Sequence, residues 1–188
     1  KGLLDDEDTG GMPLRWGDAE AIIKLIHRIA RKEGLGELLA DGVRAAAARL
    51  GPEAQSFALH VKGQEFPYHD PRARFSMAVN YATANRGACH LEALSYWRGY
   101  GVKVPGLSHF GETGDGEFDP HDSRGKGAMA ARYQDYMALY NPLGLCKFII
   151  KGMVGPETVA ELVNLALGWN WTTDDVFRTG CLLYTSPS

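Results

Sequence analysis

The chain has 188 residues, of which 45% are apolar and 23% charged, with a formal net charge of -3. That is enough apolar material to build the core of one ordinary domain or two small ones. The basic residues are scattered rather than massed, which excludes a nucleic-acid surface, and no apolar run is long enough to span a bilayer.

Residues 1–16 are rich in turn formers, from Asp5-Asp6-Glu7-Asp8-Thr9-Gly10-Gly11 to Pro13, and read as a surface connection. They begin without a methionine and in mid-pattern, so the chain is expected to be a fragment. Gly17-Asp18 opens a first helix, in which Ala19, Ile22, Ile23, Ile26, Ile29 and Ala30 recur at helical spacing; Gly34 and Gly36 end it. A second helix is expected over 37–50, stopped by Gly51-Pro52. Asp41-Gly42 lies inside it, a pair of poor helix formers that packing or function must justify.

Phe57-Ala58-Leu59-His60-Val61 alternates weakly and reads as a short strand, leading into a polar and aromatic loop over 63–72. A helix is expected over 76–86, with Gly87 as its C-cap. A long irregular connection follows over 100–124, then a helix over 125–140. Asn141-Pro142-Leu143-Gly144-Leu145-Cys146-Lys147-Phe148 interrupts that helix sharply. Another helix runs over 156–167 with Pro156 in its first turn, and Thr172-Thr173-Asp174-Asp175 caps a last short one. The expected fold is all-α and multihelical, with at most one short strand. Two helical domains are expected, at 1–110 and 111–188.

Several residues along this path can carry chemistry. Asp70-Pro71-Arg72 and the turn at Asn141-Pro142 each hold an acceptor side chain in a rigid turn. The Asp70 carboxylate can accept two parallel N–H bonds from an aminopyrimidine ring, or it can satisfy its own turn backbone. Arg72 and Arg86 can bind phosphate or form surface ion pairs, and Gly87-Ala88 leaves room for a ligand beside Arg86. His90 can carry a proton, bind a metal or simply be hydrogen-bonded. Cys146, next to Lys147, can be a thiolate metal ligand or a buried structural cysteine. Three widely spaced cysteines, Cys89, Cys146 and Cys181, do not form a disulfide framework and suit a reducing, cytoplasmic setting. Nucleophile-elbow, Walker and dinucleotide fingerprints are absent.

Taken together, Asp8-Thr9-Gly10-Gly11, Trp16-Gly17-Asp18-Ala19-Glu20, Leu39-Ala40-Asp41-Gly42-Val43, Asp70-Pro71-Arg72, Tyr81-Ala82-Thr83-Ala84-Asn85-Arg86-Gly87-Ala88-Cys89-His90-Leu91 and Leu143-Gly144-Leu145-Cys146-Lys147-Phe148 resemble the aldehyde ferredoxin oxidoreductase family. The resemblance covers residues 1–180 and only that family's two C-terminal helical domains. It implies an enzyme that oxidises aldehydes to carboxylic acids and passes the electrons to ferredoxin. The implied cofactors are tungsten or molybdenum held by two pterins, within a cavity between two helical lobes, and a [4Fe–4S] cluster. The β-rich N-terminal domain, with a Cys-x-x-Cys-x-x-x-Cys run supplying three cluster ligands, is not in this chain.

Carried over residue by residue, the resemblance makes Cys146 the fourth cluster ligand. It places Asp70, Arg72, Asn85, Arg86, Gly87, Asn141, Gly144 and Leu145 at the pterins. Asp41 becomes the carboxylate near the metal, deprotonating water or orienting the aldehyde, and His90 or His109 the active-site histidine. Two positions depart from the family pattern: Asn141 stands for aspartate, and Asp41 for the glutamate of many members. The tail over 181–188 departs as well and is expected to be foreign. The departures at Asn141 and Asp41 favour one alternative, a non-catalytic helical relative serving as a binding or assembly subunit; a second alternative is a related oxidoreductase with a non-aldehyde substrate, since the same cofactor supports other low-potential reductions.

Overall fold

A computed structural model describes residues 2–112 and 118–185. It is predominantly helical and forms two compact units, Lys1–Glu65 and Phe66–Ser188. The division expected at 110/111 falls inside the second unit. No helix among the described residues is long and apolar enough to cross a membrane.

In the first unit, α1 (Asp6–Thr9) is held by a capping box: the Asp5 carboxylate accepts from the backbone of Glu7 and Asp8, and Asp8 accepts from the backbone of Asp5. Helix α2 (Ala19–Arg31) starts at Asp18, whose Oδ1 accepts from the Ala21 amide at 3.0 Å. Arg28 Nη1 donates to the Thr9 carbonyl at 2.6 Å and ties α2 to the end of α1. The apolar stripe of α2 is not fully covered: Ile22, Ile23 and Ile26 are about half exposed.

The single helix expected over 37–50 is in fact two, α3 (Leu35–Leu39) and α4 (Gly42–Leu50). The break falls at Asp41-Gly42, so the pair is a helix junction rather than a helix interior. Gly42 sits at φ +87°, where side-chain-bearing residues are strained, and a Cβ there would come 2.7 Å from Glu65 Oε1. Pro52 does not merely stop α4; it is the first residue of α5 (Pro52–Phe57). The short strand therefore begins later than expected, as β1 (His60–Val61). It pairs antiparallel with β2 (Gln64–Glu65), His60 opposite Glu65. Lys62 and Gly63, both at positive φ, make the two-residue turn.

The second unit is organised by α7 (Lys126–Ala138), which packs on α6 (Phe75–Thr83) and α9 (Thr173–Thr185). Helix α8 (Pro156–Leu167) also packs on α9. Tyr133, Tyr136, Met137 and Tyr140 of the α7 stretch are fully buried. The Tyr140 hydroxyl donates to that of Tyr136 at 2.8 Å, and Tyr136 donates to the Val154 carbonyl at 2.9 Å. Buried hydroxyls need such partners.

Three sequence expectations change in this unit. Helix α6 ends on an extended Ala84, so Gly87, at φ +102°, belongs to the following turn and is not its C-cap. The last helix is long rather than short and runs through Cys181 to Thr185, packed against α7. A Cβ at Gly180 would overlap the Asp135 carbonyl, so glycine lets the two backbones meet. The part of the tail expected to be foreign that lies within the described residues is thus integrated; residues 186–188 lie outside them, as do residues 113–117 of the long connection.

Candidate active site

The Asp70 carboxylate is turned back on its own loop. It accepts from the Arg72 amide at 2.9 Å, from Arg72 Nε at 3.0 and 3.1 Å, and from Arg72 Nη2 at 2.6 Å. Those hydrogen bonds hold the carboxyl down at about 2. Asp70 and Arg72 are exposed, and a ligand binding there must compete with this internal fork. Asp122 and Arg124 repeat the arrangement, with the Arg124 amide at 2.9 Å and Nη2 at 2.5 Å from the Asp122 carboxylate. The shared Asp-x-Arg spacing is visible in the sequence, where reasoning from single turns passed over it.

After α6 the chain is fixed from below by a buried amide relay. Gln134 Nε2 donates to Asn80 Oδ1 at 3.0 Å, and Asn80 Nδ2 donates to the Cys89 carbonyl at 2.9 Å. Arg86 Nη2 then donates to Cys89 Sγ at 2.8 Å, and its Nε lies 3.1 Å from Glu92 Oε1. The Cys89 contact is the main reason the guanidinium holds its proton more tightly than usual. Asn85 points elsewhere, donating to the Tyr184 carbonyl of α9.

His90 is carried into a cleft of about 660 Å³ lined by His69, Tyr96, Trp97, Tyr100, Phe148 and Lys151. Its ring centroid is 4.3 Å from that of His69, which Tyr81 steadies by donating to the His69 carbonyl at 3.0 Å. Nδ1 of His90 is shielded from water with no hydrogen-bond partner among the described residues. Burial, and then His69 and Arg86, push the imidazole below its ordinary range, so His90 is neutral near pH 7. Trp97 and Phe148 stack at 5.7 Å with Lys151 Nζ 4.6 Å above Trp97. His109 is exposed and rests on Phe110; it is not among the residues lining this cleft.

The turn over 141–146 does not break the path of α7 as sharply as expected. It winds on and closes as a Schellman motif: Leu145 N donates to Tyr140 O at 2.9 Å and Gly144 N to Asn141 O at 3.1 Å, with Gly144 at φ +66°. Pro142 fits because it falls beyond Ala138, the last residue of α7. The consequence is that Asn141 and Cys146 are both exposed, and Cys146 precedes a 3₁₀ helix, Lys147–Gly152. Lys147 reaches back, Nζ to the Leu91 carbonyl at 3.2 Å and to Glu92 Oε1 at 3.6 Å.

Asp41, in the first unit, is exposed and 3.6 Å from Lys32 Nζ. It stands at the cap position of α4 yet makes no capping bond. Glu65 does that work instead, accepting from the Val43 amide at 2.6 Å, which holds the Glu65 carboxyl below its usual range.

The family model described as "Aldehyde ferredoxin oxidoreductase, domains 2 & 3" matches residues 1–186. The chain belongs to the aldehyde ferredoxin oxidoreductase family. The match extends into the tail expected to be foreign. Curated relatives include the "Tungsten-containing aldehyde ferredoxin oxidoreductase" of Pyrococcus furiosus, 37% identical over 183 residues, and that of Pyrococcus abyssi, 35% identical over 184. Each alignment spans 96% of this chain but 28% of the relative, so the chain is little more than a quarter of their length. A more distant relative in P. furiosus, "Aliphatic sulfonate oxidoreductase, WOR-like subunit", is 28% identical over 93% of this chain and 24% of its own length. Among solved structures, the active-site complex BamBC of benzoyl coenzyme A reductase, in complex with 1,5-dienoyl-CoA, shares the fold. It has a TM-score of 0.62 at 17% identity, covering 95% of this chain and 31% of that one.

The exposed thiol of Cys146 fits one ligand position of the family's cluster. No group of three or more His, Cys, Asp or Glu side chains that could hold a metal converges among the described residues, and a cluster held by Cys146 would need its other ligands from outside them. The exposed acceptors of Asp70 and Asn141 fit hydrogen bonding to a pterin, Asp70 only with Arg72 as a competitor.

Proposed function

We propose that this chain is the C-terminal part of an oxidoreductase that converts aldehydes to carboxylic acids and delivers the electrons to ferredoxin. The exposed Cys146 on its closed Schellman turn carries the reading, because it is the one thiol set outward in a motif-bearing turn. When bound, a tungsten or molybdenum bis-pterin accepts the two electrons and a [4Fe–4S] cluster relays them singly.

The chain's own residues have narrower tasks. Cys146 holds one corner of the cluster. Asp70 and Asn141 accept hydrogen bonds from the pterins, and Arg72, Arg86, Asn85 and Gly87 shape the turns beside them. Gly144 and Leu145 close the loop that presents Cys146. Asp41, released from capping by Glu65, deprotonates the water or orients the aldehyde. His90, neutral and partly desolvated, carries a proton to or from the cleft. The chain spans 28% of the relative's length, and the other cluster cysteines come from the part that it does not span.

The test is aldehyde-dependent reduction of ferredoxin by anaerobically purified, tungsten-loaded full-length protein. Turnover with aldehydes supports the reading. Turnover only with another substrate class, such as sulfonates, or none with metal and iron in place, contradicts it.

A further inference from the structure

Glu92 lies where three segments meet and has no role in the site as drawn so far. Its carboxylate is 12% exposed, and the Lys147 side chain beside it is equally covered. Oε1 stands 3.1 Å from Arg86 Nε and 3.6 Å from Lys147 Nζ, so one acid faces two cations. Lys147 also donates to the Leu91 carbonyl, which pins the residue after Cys146 to the segment that carries His90. Both ends of this clamp rest on α7. Gln134 supports the Cys89 segment through Asn80, and the Cys146 turn is the continuation of α7 itself.

We infer that Glu92 and Lys147 are positioning residues that fix the Cys146 turn and set the electrostatic potential at its thiolate. The inference rests on Cys146 being a cluster ligand. A partly covered ion pair is screened far less than a surface one, so its charges act on an adjacent redox group. Reduction adds negative charge. Removing the carboxylate leaves Arg86 and Lys147 uncompensated and favours the reduced state. Removing the ammonium leaves Glu92 with Arg86 alone and disfavours it. A merely structural pair would move both variants the same way, through loss of order.

The experiment is a redox titration, followed by electron paramagnetic resonance, of full-length protein carrying Glu92→Gln, Lys147→Met or both, with Cys146→Ala as the reference. Glu92→Gln is isosteric and Lys147→Met is unbranched and one atom shorter, and iron content reports whether each variant assembles. The expected result is a higher midpoint potential for Glu92→Gln, a lower one for Lys147→Met, and a double variant that is not the sum of the two. Shifts in the same direction, or none, while Cys146→Ala alters the cluster signal, overturn the inference and leave the ligand assignment standing. An unaltered cluster in Cys146→Ala overturns both.

Discussion

Arg86 Nη2 and Cys89 Sγ are 2.8 Å apart, and this contact closes the loop between α6 and His90. The same guanidinium reaches Glu92 through Nε, so it serves two partners from one rigid plane. The phosphate role foreseen for Arg86 would have to displace these contacts. Lysine, a point charge, cannot serve both geometries. Arg86→Lys is expected to lower stability by about 1 kcal/mol, the worth of a charged hydrogen bond at a half-exposed site. It should also speed alkylation of Cys89. Urea unfolding and site-resolved mass spectrometry check the two effects; unchanged labelling of Cys89 would mean the contact is not formed in solution.

His90 makes a pH-dependent contribution with a definite sign. Its folded pKa lies below the ordinary 6.5, with burial the largest cause. The unfolded chain therefore binds the proton more readily, and stability rises with pH through this window. The contribution is complete above about 6.5 and is lost as pH falls toward the lowered folded value. His90→Gln should flatten that part of the stability–pH curve in denaturant titrations. A curve of unchanged slope would place the titration on another group.

Gly180 allows α9 to lie against the Asp135 carbonyl of α7. Gly180→Ala forces the helices apart and should cost about 1–3 kcal/mol, the usual range for overpacking. The same change at Gly127, where an added Cβ meets nothing within 4 Å, should not destabilise. Thermal unfolding of the pair distinguishes packing from helix propensity, because propensity alone predicts stabilisation at both.

The 188-residue chain by itself should self-associate. Ile22, Ile23 and Ile26 on α2, and Leu162 and Leu165 on α8, are exposed apolar side chains at helical spacing. Sedimentation velocity should show a concentration-dependent increase in mass, reduced by Ile26→Glu or Leu165→Glu. A monomer at all concentrations would show that these faces tolerate water.

Much of this architecture is legible in the sequence. The helix over 156–167 has its proline at the first position and glycine just after its end, and both signals act locally. Asp18 likewise announces α2 through a bond three residues away. What stayed hidden depends on distant partners. The split at Asp41-Gly42 needs Glu65 to arrive from the hairpin and cap α4. The value of Glu92 exists only once Lys147 folds back beside it. His69 became a site residue because its ring lies against His90, a contact that no local spacing encodes. The last helix runs longer than its sequence suggests because Gly180, a poor helix former by propensity, is required there by tertiary contact.

Asn141 stands where the family pattern has an aspartate, and its side chain is exposed at the end of the Schellman turn. A carboxylate there would add a charge-assisted hydrogen bond to a pterin. Asn141→Asp in full-length protein should strengthen cofactor retention by about 1 kcal/mol, the excess of a charged over a neutral hydrogen bond. Pterin released on mild denaturation measures it. Weaker retention would remove Asn141 from the pterin site.

The central claim is that Cys146 holds a cluster. It is tested most directly by iron content and the reduced-state electron paramagnetic resonance spectrum of full-length protein, with and without Cys146→Ala. The account predicts lower iron and an altered or lost cluster signal in the variant, with electron transfer to ferredoxin slowed. Iron and spectrum identical to the unaltered protein would contradict it.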